Sequence, residues 1–138
     1  SSTKPGTTAG YDWVKLSLNK FLQTEEIESN KIILGIPFYT RVWTTDPSGK
    51  STSKTVSMKK TESVIPDGTQ KQWNDDLKQN YVEYTDGNNK KQIWIEDIDS
   101  IKSKISLITE NNLGGVASWQ KDMELDEIWS VLIEEINK

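Results

Sequence analysis

The stretch that most constrains this chain is an apolar run, Ile32, Ile33, Leu34 and Ile36, which breaks at Pro37 and then presents Tyr39, Arg41 and Trp43. A near-continuous aliphatic run reads as a strand covered on both faces, as in parallel sheets flanked by helices. In parallel α/β proteins, binding and catalytic groups gather at the carboxyl ends of the strands. A buried strand that releases a phenol, a guanidinium and an indole in five residues is therefore the first site candidate.

The surrounding pattern supplies the helices such a strand needs. Residues 1–10 are polar, with Pro5, Gly6 and Gly10, and read as a loop. Trp13, Val14, Leu18, Phe21 and Leu22 recur at helical spacing, which predicts an amphipathic helix over about residues 11–23. An acidic link, Glu25-Glu26-Ile27-Glu28, leads into the apolar run. Residues 44–56 are loop by composition, and a short helix over about 58–65 follows Ser57 as a possible cap. Pro66-Asp67-Gly68 is a turn.

The period then changes. Gln72-Trp73-Asn74, Tyr81-Val82-Glu83-Tyr84-Thr85 and Lys91-Gln92-Ile93-Trp94-Ile95 read as short antiparallel strands, the last two joined by the hairpin turn Asp86-Gly87-Asn88-Asn89. Beyond them Ile98, Ile101, Ile105 and Ile108 mark a helix over about 97–112, with Lys102 and Lys104 on its other faces and acidic residues at its start, where they suit the macrodipole. A strand of small residues ends at Trp119, and Leu125, Ile128, Trp129, Leu132, Ile133 and Ile136 form a last amphipathic helix. Without the antiparallel insert the order is αβ–αβα, two consecutive units of a parallel β/α protein with a helical crossover.

Composition narrows the chemistry. The 138 residues suffice for one domain that buries roughly two-thirds of its unfolded surface. Net charge is −4 and no basic cluster exceeds the pairs Lys59-Lys60 and Lys90-Lys91, which argues against nucleic acid. There is no Cys and no His, so disulfides, Cys- or His-based metal sites and His-based triads are out of reach, and neither metal nor cofactor is expected. No apolar run approaches the ~20 residues of a membrane span. The chain opens Ser1-Ser2-Thr3-Lys4 without a signal peptide and reads like the inside of a larger protein.

Three motifs in this order carry a resemblance: Gly35-Ile36-Pro37-Phe38-Tyr39-Thr40-Arg41 with Trp43; Trp94-Ile95-Glu96-Asp97 with Ser100; and Gly115-Val116-Ala117-Ser118-Trp119. Together they resemble the C-terminal part of family 18 glycoside hydrolases, the chitinases, with the flavour of the bacterial subgroup associated with spores and peptidoglycan. The likeness runs from about Tyr11 to Ile136. It implies an α/β fold made of the last two β/α units of a TIM (β/α)8 barrel with a small α+β insertion. Residues 1–43 would carry a helix and the penultimate barrel strand, 44–96 the insertion, and 97–138 the last helix–strand–helix of one truncated catalytic domain. The resemblance places Trp119 as the aromatic floor beneath a sugar, with Tyr39 and Arg41 lining the cleft and Trp43 and Glu96 as weaker contacts. It implies a glycan partner containing N-acetylglucosamine, chitin-like or peptidoglycan, and an extracellular, cell-wall or spore-envelope location.

Other readings of the same residues stand beside these. Trp119 suits a core position at a strand end, Tyr39 barrel packing, Arg41 an ion pair with Glu96 or Asp97, and Trp43 the shielding of the junction with the insert. Trp94 and Tyr84 suit the insert's core, and Trp129 the core beneath the last helix. The family's catalytic Asp-x-x-Asp-x-Asp-x-Glu strand is absent; Glu96-Asp97-Ile98-Asp99 and the acidic set from Asp122 to Glu127 do not match it. The family's Tyr-Asp pair is imitated by Tyr11-Asp12, which instead opens a helix. No catalytic residue is therefore assigned. The isolated chain is expected to be inactive, because substrate-assisted cleavage in this family still needs its acidic residue. The remaining partners expected are the upstream part of the same barrel and, through an open sheet edge, a second copy of the chain. The alternatives are a carbohydrate-binding module that does not cleave and a structural or interaction domain alike in fold only.

Overall fold

A computed structural model describes residues 3–24 and 26–138, so the expected N-terminal loop is seen from Thr3 and Glu25 of the acidic link lies outside the described residues. In chain order the elements are α1 (Tyr11–Thr24), β1 (Ile33–Pro37), β2 (Tyr39–Thr45), β3 (Ser51–Ser57), α2 (Met58–Thr61), β4 (Gln72–Asn74), β5 (Gln79–Asp86), β6 (Asn89–Ile95), α3 (Ile98–Glu110), β7 (Gly115–Trp119) and α4 (Ile128–Ile136).

β1 and β7 pair in parallel, Ile36 opposite Ser118 and Pro37 opposite Trp119. They form a two-stranded sheet by themselves, while the other strands make a five-stranded sheet in the order β3-β2-β6-β5-β4. The crossover from β1 to β7 thus contains the larger sheet as well as α3. One face of the small sheet packs on three helices, with Ile36 buried among Val14 and Leu18 of α1, Ile101, Ile105 and Ile108 of α3, and Ile128 and Leu132 of α4. The other face is open. Ile33 is 54% exposed and Gly35 and Ala117 are exposed, so the strand is not covered on both faces as its apolar run suggests.

Where β7 begins, its backbone lies very close to the segment leading into β1. Gly114 donates its N–H to the Ile32 carbonyl at 2.8 Å. A β-carbon at residue 114 would sit 2.2 Å from the backbone oxygen of Asn30, so only glycine fits.

The apolar run stops at Pro37, and Tyr39 starts a strand of the larger sheet. The boundary expected between residues 43 and 44 therefore falls inside β2, and most of the loop expected over residues 44–56 is strand. β2 and β3 pair from Tyr39 opposite Ser57 to Thr45 opposite Ser51. The Thr- and Ser-rich sequence favours strand through its β-branched residues although it carries little apolar signal. Only residues 46–50 turn, with the Asp46 carboxylate accepting the N–H groups of Ser48 at 2.9 Å and Lys50 at 3.0 Å and Gly49 at φ 85°. The hairpin at residues 86–89 forms as the sequence predicts, with Asp86 opposite Asn89 and Gly87 at φ 60°.

Alternation gives the larger sheet two distinct faces. Val42, Val82, Ile93 and Ile95 make a second core, with Val56, Ile65 and Tyr84 packed against it. The opposite face carries Trp43, Gln92 and Glu83 in one cross-strand row and Trp94, Tyr81 and Gln72 in another. The segment before α1 docks on this sheet: the Gly6 carbonyl accepts from Trp43 Nε1 at 2.8 Å, and Tyr11 N–H donates to the Leu77 carbonyl at 3.0 Å. No helix of the described residues is long and apolar enough to cross a membrane.

Candidate functional site

Because β1 and β7 run parallel, their carboxyl ends lie side by side, and a groove of about 420 Å³ opens there. Pro37, Tyr39, Ser118 and Trp119 line it from the strands, and Thr8 and Ala9 from the docked N-terminal segment. The Trp119 backbone is anchored by its carbonyl, which accepts the Phe38 N–H at 2.7 Å. Its side chain is free, at 68% exposure. Strand-end packing therefore does not account for Trp119. An open indole beside a phenol offers a flat apolar face with a polar margin, the surface on which the hydrophobic face of a pyranose can stack. None of the residues lining the groove carries a carboxyl group.

The other residues singled out in the sequence behave differently. Arg41 is half-buried and donates from Nη1 to Ser53 Oγ at 3.0 Å, and it makes none of the ion pairs found among the described residues. Trp43 is buried, with its indole N–H committed to Gly6. Glu96 is buried as well, with both carboxylate oxygens engaged. Neither Trp43 nor Glu96 lines the groove. The reason is position: each sits where the larger sheet meets another part of the chain, and that junction buries them.

Glu96 is the centre of a network that the sequence does not announce. Lys104 Nζ donates to its two oxygens at 2.7 and 3.0 Å, and Ser100 Oγ to Oε2 at 2.9 Å. Gln79 Nε2 also donates to Glu96, and the Thr7 hydroxyl donates in turn to Gln79. The Glu96 N–H donates to Thr40 Oγ1 at 2.9 Å. Burial pushes the Glu96 carboxyl above the ordinary carboxylate range, and the Lys104 charge opposes that shift. Lys104, expected on a face other than the apolar stripe, is 1% exposed. The available signal was its spacing: residue 104 follows Ile101 by three and precedes Ile108 by four, on the apolar stripe itself. The network ties α3, β5, β2 and the N-terminal segment together, and so holds the Thr8–Ala9 side of the groove. Tyr11 and Asp12 open α1, as read from the sequence. Trp129, expected in the core, sets its ring edge-on to Phe38 at 5.8 Å yet stays 46% exposed. Among the described residues no group of three or more His, Cys, Asp and Glu side chains is placed to hold a metal ion.

Comparison with known proteins adds to this geometry. Residues 7–124 match the family model described as "Glycosyl hydrolases family 18". The cortical fragment-lytic enzyme of Bacillus subtilis (strain 168) is 29% identical over 115 residues, which cover 81% of this chain and 27% of that protein. The crystal structure of the spore cortex-lytic enzyme SleL of Bacillus megaterium QM B1551 superposes with a TM-score of 0.81 at 28% identity, over 96% of this chain and 31% of that one. A chitinase from Chromobacterium violaceum ATCC 12472 shares the fold at a TM-score of 0.86 and 24% identity, over 99% of this chain and 42% of that one. The chain therefore spans less than half the length of each of these relatives.

Proposed function

Since the chain belongs to glycosyl hydrolase family 18, we propose that it is the C-terminal segment of a glycosidase acting on N-acetylglucosamine-containing glycan, chitin-like or peptidoglycan, at a spore envelope, a cell wall or another extracellular site. On this reading β1 and β7 are the last two strands of a (β/α)8 barrel, the five-stranded sheet is its insertion, and an upstream part of the same polypeptide supplies the remaining strands and the catalytic acid. The open face of the small sheet would then be the barrel interior. Trp119 is the floor under the sugar and Tyr39 a wall, while Arg41 contributes the guanidinium N–H groups not given to Ser53.

The observation that carries the reading is the exposed indole of Trp119, anchored by its backbone at the carboxyl ends of two parallel strands. Its test is the Trp119 indole N–H resonance, assigned by its loss in Trp119→Phe. Added N-acetylglucosamine oligomers should shift it while the isolated chain releases no reducing ends. An unmoved resonance sinks the cleft assignment, and turnover by the isolated chain sinks the claim that the acid lies upstream.

A further inference from the structure

The larger sheet carries a second concave site that shares no lining residue with the groove. Trp94, Tyr81 and Gln72 stand opposite one another across β6, β5 and β4, so their side chains share one face. The Tyr81 and Trp94 rings lie 4.9 Å apart between centroids and are tilted by 45°, forming an angled corner. Tyr81 is held in place, because its hydroxyl donates to Glu83 Oε2 at 2.6 Å and accepts from Gln92 Nε2 at 2.8 Å. Both rings are only half-buried. With Gln72, Trp73 and Asn74 they border a cavity of about 270 Å³. A second cavity of about 290 Å³ shares Gln72 and Tyr81 with the first, so the two form one trough.

The chemistry of this trough selects its occupant. No Lys or Arg lines either cavity, so nothing there recognises an anion. The one acid, Glu83, is engaged by Tyr81 and by Lys90 at 3.2 Å. What remains is the aromatic rings of Trp73, Tyr81, Tyr84 and Trp94 and neutral polar groups, with the Gln72 side-chain amide bonded to no described group. Such a surface fits an uncharged ring with an apolar face and a rim of hydroxyl and amide groups.

We propose that the corner of Trp94, Tyr81 and Gln72 is a second glycan subsite, which takes an N-acetylhexosamine unit of the polymer. The proposal rests on reading the chain as part of a glycan-processing protein. A long substrate holding both sites gains from the effective concentration of the second contact, so affinity rises with chain length.

The test follows indole N–H resonances during titration with an N-acetylglucosamine hexamer, with Trp94 assigned through Trp94→Phe. In a Trp119→Ala background the Trp94 resonance still moves if the subsite exists. Movement of Trp119 without movement of Trp94 in the parent chain overturns the subsite and leaves the groove assignment intact. Movement of Trp94 alone overturns the groove and leaves the subsite. Trp94→Ala weakens hexamer binding about threefold to tenfold. Gln72→Ala changes an exposed edge residue, keeps the fold, and also weakens binding. Unchanged hexamer affinity in both variants overturns the proposal, as does an equal Trp94 response to a neutral Ala/Ser-rich peptide.

Discussion

Lys104 departs furthest from the surroundings its residue type prefers. An ammonium at 1% exposure persists only because Glu96 meets it with two oxygens and because Ser100 and Gln79 satisfy the rest of the carboxylate. Breaking such a pair from one side leaves an uncompensated buried charge. Lys104→Met should therefore destabilise the chain by about 3–5 kcal/mol in urea denaturation. Adding Glu96→Gln to it should recover part of that loss, a coupling of more than about 0.5 kcal/mol. A Lys104→Met chain as stable as its parent would remove the network from the fold's support. Trp119 is the opposite case. Its indole touches little, so Trp119→Ala should change stability by no more than about 0.5 kcal/mol while removing the glycan response of the groove. A large loss of stability would return Trp119 to a packing role. The sequence put Trp119 forward as a site candidate through its family resemblance. It hid Lys104, because a lysine on a helix is ordinarily solvated and only its place on the apolar stripe spoke otherwise.

Elements whose ends are specified by local chemistry were legible. Asp97 caps α3, accepting the Ser100 N–H at 3.0 Å while Ser100 Oγ accepts the Asp97 N–H at 2.9 Å. Asp97→Ala should lower stability by about 1 kcal/mol, and a neutral result would mean that Glu96 and Lys104 alone fix the helix start. β3 was not legible. Ser51–Ser57 offers no apolar face of its own, and it becomes a strand by pairing along the whole of β2. At the start of β7 the constraint is steric. Gly114→Ala would push a methyl group against the Asn30 carbonyl and should destabilise by about 1–3 kcal/mol, read as a lower urea midpoint. A midpoint equal to the parent's would show that the turn before β7 can give way.

The whole molecule exposes 8475 Å², against about 7300 Å² expected for a compact monomer of this size. The excess has an apolar component: Trp13 and Leu16 on α1, Trp129 and Ile133 on α4, and Ile33 on the open face of the small sheet are all exposed. β1 and β7 pair only with each other, so each has an unpaired edge among the described residues. Surfaces of this kind favour association. Sedimentation of the isolated chain should show a concentration-dependent dimer or larger species. A single monomeric species at high concentration would mean that these faces tolerate water.

The sequence by itself determined the two β/α units, the hairpin, the third helix with its acidic start and the aromatic at the end of the last strand. Each of these rests on interactions a few residues apart, or on a periodicity visible in one segment. Only the tertiary structure decided that Glu96 and Trp43 are buried supports, that Lys104 belongs to the interior, that a Thr- and Ser-rich stretch is a strand, and that one face of β1 is open. Those outcomes depend on what lies opposite in space. Burial and charge pairing are set by neighbours that are distant in the chain, such as Thr7 and Gln79, separated by 72 residues and joined by a hydrogen bond.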